Sequence, residues 1–425
     1  MTLTHTGIWQ QQLDEAIDSR AAAILSLRRH LHAYPEPSGE EFETSRYIRQ
    51  LLHDDGFATQ LGPGGRGVIV EGPETSPGPR IALRADIDAL RIQDAKQTDY
   101  RSRCPGIMHA CGHDGHTAVV FGALLGLQAL EAAGSLPYPI RWRGIFQPAE
   151  ETAAGALEMM GAGAIDDIDV ILSVHMDPSR AVGRIGLRYG VLCAACDELD
   201  VTITGRGGHG ARPHESLDPI ATAAQFISSI YVLIPRAVDS QDPVVVSIGQ
   251  FTAGHSRNVI PEEAVLRGTL RTLGGGVRTA TKNHIRQLAR GTAEASGTRI
   301  EVDFGVGIPS VHNDKHLTHL LEKAGTDLLG TDHVDIVPRP SMGGEDFAFY
   351  LERIPGAMFR LGCASPRAGS APLHSPSFDI DERALTIGAK ILARAVVLWS
   401  DPQGQHSRNH SPNHNSPNRN SPHHE

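Results

Sequence analysis

Cysteine is scarce and irregularly placed, with five in 425 residues and no repeating interval. That excludes a disulfide framework and makes a reducing cytoplasm the expected compartment. Basic charge is not in excess either. The formal net charge is −10, so no cationic stripe stands ready to displace counterions, and nucleic acid is not an expected partner. Long apolar runs are missing too. The longest candidate, residues 118–130, is interrupted by Gly122, Gly126 and Gln128 and falls short of the roughly 20 residues that span a bilayer, so no membrane is expected. Residues 1–20 have no basic start followed by an apolar stretch and carry Asp14, Glu15 and Asp18, so no secretory leader is expected. What is present, 40% hydrophobic and 21% charged residues, suits a globular chain with a sizeable core and two domains, or one domain with an insertion.

Along the chain, apolar residues at helical spacing predict a helix over residues 12–33, ended by Tyr34-Pro35-Glu36-Pro37, and a second over 41–52. Short strand-like runs follow at 67–71, 80–85, 140–146 and 170–175, with helices at 114–133 and 155–160. Strands alternating with helices predict an α/β fold with a mostly parallel sheet. After Gly190 the texture changes to strand (197–205), helix (218–233), two strands (243–251 and 263–272), helix (278–295) and strand (299–306). That order is the ferredoxin-like α+β pattern. The expected organisation is therefore a catalytic domain over residues 1–190 and 309–400, an insert at 191–308, and a polar, apolar-poor disordered tail at 401–425.

The segment His109-Ala110-Cys111-Gly112-His113-Asp114-Gly115-His116 concentrates a thiol, three imidazoles and a carboxylate. Thiolate and neutral imidazole bind zinc, manganese, cobalt or nickel strongly. Read alone, the octet leaves a metal site and a buried thiol beside a helix start as equal alternatives. Other segments also end in coordinating groups: Arg84-Ala85-Asp86-Ile87-Asp88, Gln147-Pro148-Ala149-Glu150-Glu151, Ser173-Val174-His175 and Leu373-His374-Ser375-Pro376. Loops at the carboxyl ends of parallel strands open onto one crevice. One thiolate, three imidazoles and one carboxylate would suit two metal ions, each keeping a position for water.

In these segments the chain resembles the M20 family of metallopeptidases and amidohydrolases, in its aminoacylase, hippurate hydrolase and auxin-conjugate hydrolase branch. The match extends through Leu31-His32 to Pro35-Glu36, Ala89-Leu90, Gly205 to His214, Asn258-Val259-Ile260-Pro261, Gly268-Thr269-Leu270-Arg271 and Gly343-Gly344-Glu345-Asp346-Phe347. The motifs keep the family's order over residues 27–400. The resemblance implies a zinc-peptidase-like catalytic domain with an inserted lid that also pairs subunits as a homodimer. It implies two divalent ions (Zn, Mn, Co or Ni) held by Cys111, His113, Glu151, His175 and His374, with Cys111 as the bridge. Glu150 becomes the general base, and Asp88 the group that steadies a ligand histidine. His209 would stabilise the oxyanion, with the partner subunit's site among the places it could act. Asn258 and Arg271 would hold the substrate's carboxylate, and Gly344 would line the acyl pocket. The implied reaction is hydrolysis of an N-acyl amino acid, such as hippurate or an N-acetyl conjugate, to a carboxylic acid and a free amino acid.

Plainer readings stand beside these. His116 reads as a hydrogen-bonded core residue, His109 as a neighbour of the site and Asp114 as a helix cap. Cys193-Ala194-Ala195-Cys196 lacks a second pair and reads as structural. Glu345 and Asp346 read as support, and His214 is open between substrate contact and cap. Two rivals to the amidohydrolase remain. A dipeptidase or carboxypeptidase would need an anion for a free amine, with Asp94 and Glu345 as candidates. A non-catalytic metal-binding or ligand-sensing protein would have no use for Glu150.

Overall fold

The computed structural model describes residues 8–72, 78–366 and 368–402; from residue 403 on, the expected tail lies outside the described residues. The single helix expected over 12–33 is two, α1 (Ile8–Ser19) and α2 (Ala21–Ala33). They are parted at Arg20, which leaves helical angles with ψ 5° and pairs with Asp55. Helix α3 (Phe42–Asp54) leads into β1 (Ala58–Leu61), β2 (Val68–Glu71) and β3 (Ile81–Asp86). Then come α4 (His113–Ala132), β4 (Trp142–Gln147), α5 (Gly155–Gly161), β5 (Val170–Ala181) and β6 (Ile185–Leu187).

Strand β7 (Gly190–Cys193) precedes β8 (Ala195–Thr204), β9 (Gly208–His209), α6 (Pro219–Ala237), β10 (Val244–Ala253) and β11 (Val259–Ile260). They are followed by β12 (Glu263–Thr272), α7 (Gly275–Ser296), β13 (Arg299–Asp303) and β14 (Val311–Asn313). The chain ends through α8 (Lys315–Leu329), β15 (Val334–Ile336), α9 (Ala348–Leu351), β16 (Gly356–Ala364) and α10 (Arg383–Trp399).

The main sheet has eight strands in the order β1-β2-β4-β3-β5-β16-β6-β15. Its centre, β4-β3-β5-β16, is parallel, while β1-β2, β2-β4 and β16-β6 are antiparallel. Strands β3 and β4 are buried along their whole length, as strands covered on both faces must be. Helix α4 is buried nearly all round, between the sheet and α1, α2 and α10. The glycines that interrupt its apolar run are sites of close approach. A Cβ on Gly122 would meet Ile24 Cδ1 at 2.7 Å, and one on Gly126 would meet Ile17 Cγ1 at 2.6 Å.

A second, antiparallel sheet has the order β10-β12-β8-β13, and its strands alternate with α6 and α7 in the sequence β-α-β-β-α-β. Leu199, Val201, Ile203, Phe226, Ile230, Leu266 and Ile285 form its separate core. Asp218 caps α6 by accepting from the Ile220 and Ala221 amides, and Pro219 occupies the first helical position, where its missing N–H costs nothing. By length and composition α6 is long and apolar enough to cross a membrane. Its spacing accounts for this: Phe226, Ile230 and Ile234 pack on the small sheet while Tyr231, Val232 and Leu233 face outward.

Candidate metal centre and substrate cavity

The carboxyl ends of the parallel strands deliver the polar residues to one place. Strand β3 runs into Asp88, β4 into Glu150 and Glu151, and β5 carries His175, while Cys111 and His113 sit at the start of α4. Two sharp reversals complete the arrangement. Ala149 (φ 53°) and His374 (φ 60°) both take left-handed backbone angles, a strain of about 1–3 kcal/mol for a non-glycine residue. Each reversal is held by a hydrogen bond. The Ala149 amide donates to the buried carboxylate of Glu41 at 2.8 Å, and the His374 amide donates to the Ala110 carbonyl at 2.8 Å.

The donor atoms converge with their lone pairs free. His113 Nδ1 contacts Asp88 Oδ1 at 3.0 Å, which leaves its buried Nε2 without a partner, 3.9 Å from Glu151 Oε1. His175 Nδ1 donates to the Met176 carbonyl at 2.7 Å, so its Nε2 faces Cys111 Sγ at 3.7 Å. His374 Nε2 lies 3.3 Å from the otherwise unpartnered Glu151 Oε1. Burial pushes the Cys111 thiol up to about 12, a cost that only a nearby cation offsets. Orphaned imidazole and carboxylate atoms around a buried thiol fit divalent metal, and Cys111, His113 and Glu151 alone place three donor atoms within 4.8 Å of one another.

Asp88 steadies two donors at once, because its Oδ2 also accepts the Glu151 amide at 3.1 Å and the Ser38 hydroxyl. Asp88→Ala is expected to weaken metal affinity by about 10–100-fold. Chelator competition checks this, with circular dichroism confirming an intact fold; undiminished affinity would remove Asp88 from that role.

Glu150 is buried between the donor set and Glu345-Asp346, and its Oε1 accepts the Asp346 amide at 3.3 Å. Burial, then the Glu345 and Asp346 charges, hold its pKa well above the ordinary carboxylate value. Beneath it lies a group to which sequence reasoning gave no role. Arg84, fully buried, donates to Gln147 Oε1 at 2.9 Å, Asp86 Oδ2 at 2.7 Å and Asp346 Oδ1 at 2.7 Å. Its sequence signal was a lone cation inside the apolar run of β3.

A cavity of about 500 Å³ is lined by Cys111, Glu150, Glu151, His175 and His374 on one side, and by Arg271 and Gly344 among others. A Cβ on Gly344 would meet Cys196 Sγ at 3.0 Å, so the wall is tight there. His209 and Asn258 are elsewhere. His209 pairs with Val259 in the β9–β11 ribbon, its Nδ1 accepting the Ala211 amide at 3.0 Å, and Asn258 Oδ1 accepts the Ser256 hydroxyl at 2.9 Å. Both border a different cavity, of about 760 Å³, which contains none of the donor residues. Asn258 and Arg271, expected together on one carboxylate, therefore do not share a cavity within one chain.

The Asp114 expectation changes, whereas His116 is the hydrogen-bonded core residue expected. Asp114 is not a cap: its side chain is buried against Arg28 Nε at 2.9 Å and His32 Nδ1 at 2.7 Å. His116 spends both nitrogens, Nδ1 on Asp86 at 2.6 Å and Nε2 on the Met176 amide at 2.8 Å, so it is no ligand. Both nitrogens of the buried His109 lack a hydrogen-bond partner, and burial first of all lowers its pKa to about 4. Cys193 and Cys196, read as structural, line the cavity. His214 is exposed in a single turn, Pro213–Glu215.

A thiol, imidazoles and a carboxylate gathered in the crevice of an α/β sheet, beside a second carboxylate of raised pKa, define a metal-dependent hydrolase. Residues 82–397 match the peptidase family M20/M25/M40, and the chain belongs to that family. It is 39% identical over 389 residues to an N-acetylcysteine deacetylase of Bacillus subtilis, covering 91% of this chain and 98% of that one. It is 33% identical over 385 residues to thermostable carboxypeptidase 1 of Saccharolobus solfataricus, covering 89% and 95% respectively. Among solved structures, a dinuclear metal-binding M20 peptidase from Bacillus subtilis superposes with a TM-score of 0.78 at 35% identity, over 91% of this chain and 99% of that one.

Proposed function

We propose that this enzyme hydrolyses the amide bond of N-acyl amino acids, releasing a carboxylic acid and a free amino acid. The observation that carries the reading is one cavity lined by Glu150 together with Cys111, Glu151, His175 and His374, with Arg271 on the same lining and His113 grouped with Cys111 and Glu151. Two divalent ions held by Cys111, His113, Glu151, His175 and His374 would supply Lewis acidity to a water and to the amide carbonyl. Glu150 takes the water's proton and delivers it to the leaving amine, a task for which a raised carboxylate pKa is suited. Arg271 presents a guanidinium fork to the α-carboxylate, and Gly344, packed closely on Cys196, forms part of the wall beside the acyl group.

His209 and Asn258 reach a site through a partner subunit in this reading. The residues around 191–308 act as lid and dimerisation domain. In support, β10 is a ten-residue edge strand, and Val245 and Phe251 on it are exposed, as are Tyr231 and Val232 on α6. Five free thiols suit a reducing cytoplasm.

The peptidase rival lacks a free anion for a substrate amine among its two candidates. Asp94 is engaged by Lys96 Nζ at 3.0 Å and by the Ser102 amide at 2.9 Å, and Glu345 by Arg84 at 3.2 Å. The test is a panel of N-acetyl and N-benzoyl amino acids beside dipeptides, with protein loaded in turn with zinc, manganese, cobalt and nickel. Turnover of the acyl compounds is expected, abolished by chelator and restored by metal. Preference for dipeptides would make the enzyme a peptidase. Bound metal with no turnover of either set would leave a ligand sensor.

A further inference from the structure

Two guanidinium groups line the cavity, and the reading above uses only Arg271. The other, Arg360, lies on β16 in parallel register with His175 of β5, so the two side chains leave the sheet on the same face. Its strand, Gly356-Ala357-Met358-Phe359-Arg360-Leu361-Gly362-Cys363-Ala364, contains no other charged residue. Its Nη2 donates to Cys193 Sγ at 3.1 Å. Among the described residues no carboxylate lies within ion-pair distance of it.

The enclosed arginines elsewhere differ. Arg28 pairs with Asp114, Asp379 and Glu382, Arg84 with Asp86, Glu345 and Asp346, and Arg143 with Glu71. Cys193 cannot substitute for a carboxylate, since burial pushes its thiol up and keeps it neutral. Arg271 is held in the same way, by Cys196 Sγ and by the Met342 carbonyl at 2.9 Å. Among the described residues, neither of these two cavity cations forms an ion pair with a carboxylate, although Glu150, Glu151 and Glu345 share the lining. One α-carboxylate satisfies one of them, and a partly enclosed cation favours a counter-anion.

We propose that Arg360 is a second anion-binding group, and that the preferred substrates are N-acyl amino acids with a second carboxylate, on the acyl chain or on the amino-acid side chain. This rests on the amidohydrolase reading and names its substrate class. A site arranged to pair a charge discriminates against the analogue that lacks it, here by about 10–100-fold.

The test compares kcat/KM of the metal-loaded enzyme on N-acetyl-L-alanine, N-acetyl-L-glutamate and N-succinyl-L-alanine. At least one of the two dianions should be preferred by that factor, and which one is preferred tells where the second carboxylate sits. Arg360→Gln should collapse the preference, chiefly through KM, and Arg360→Lys should retain part of it. Preference for the monoanion, or an equal loss on all three substrates in both variants, overturns the proposal. Calorimetry with glutarate against butyrate separates this idea from the reading it rests on. Glutarate should bind more tightly to the wild type and lose that advantage in Arg360→Gln. Equal binding of the two acids to the wild type overturns the Arg360 subsite, whereas glutarate selectivity without turnover overturns the hydrolase reading alone.

Discussion

Glu150→Gln is expected to keep its metal and lose kcat by about 10²–10⁴-fold, the usual contribution of a positioned acid–base group. The two halves of that outcome come from geometry. Glu151, and not Glu150, is the carboxylate that shares the 4.8 Å group with Cys111 and His113. Glutamine preserves the shape of the buried side chain, and its amide oxygen can still accept the Asp346 amide, a contact of 3.3 Å in the wild type. Only the capacity to carry a proton is lost. Metal analysis and steady-state kinetics on the same preparation check this. A variant that loses metal with activity would make Glu150 a ligand, and one that retains activity would remove it from proton transfer.

The second large effect tests the proposal that a partner subunit completes the site. His209→Ala is expected to lower kcat by about 10²–10³-fold, as loss of an oxyanion donor does. Its position away from the cavity of its own chain makes a sharper test possible. A heterodimer of one Glu150→Gln chain and one His209→Ala chain has an intact His209 on the first and an intact Glu150 on the second. If the insert serves the opposite site, one complete site is rebuilt and about half of the wild-type activity per dimer returns. If His209 works within its own chain, both sites stay broken. Chains with two different tags, purified in tandem, distinguish these outcomes. Val245→Lys, placed on the β10 edge, should abolish activity together with dimerisation by the same logic.

The candidate donors stand out in the sequence because coordination chemistry restricts ligands to a few residue types, and the structure brings Cys111, Glu151, His175 and His374 to one cavity with His113 beside Cys111 and Glu151. What was not legible depends on partners distant in sequence. Asp114 resembles a helix cap until Arg28 and His32 arrive from α2 to bury it. The break between α1 and α2 falls on Arg20 with no glycine or proline to mark it; its ion pair with Asp55 becomes visible only in three dimensions. Arg84 and Arg360 are single charges in apolar strands, and the pattern alone does not say whether such a charge meets carboxylates or a cavity. His209 and Asn258 carry recognisable motifs, yet a motif does not tell which cavity its residue borders.

The left-handed turn at His374 has a consequence for the whole chain. Its amide is tied to Ala110, so a loop near the carboxyl end rests against the start of α4, far back in the sequence. A cation shared by Cys111 and His374 would act as a clasp, closing a loop that contains β4, β5 and the entire insert. Such a closure removes chain entropy from the unfolded ensemble, and a ligand that binds only the folded state adds its own free energy. Metal supply would then set how firmly the two ends of the catalytic domain are fastened, as well as how fast the enzyme turns over.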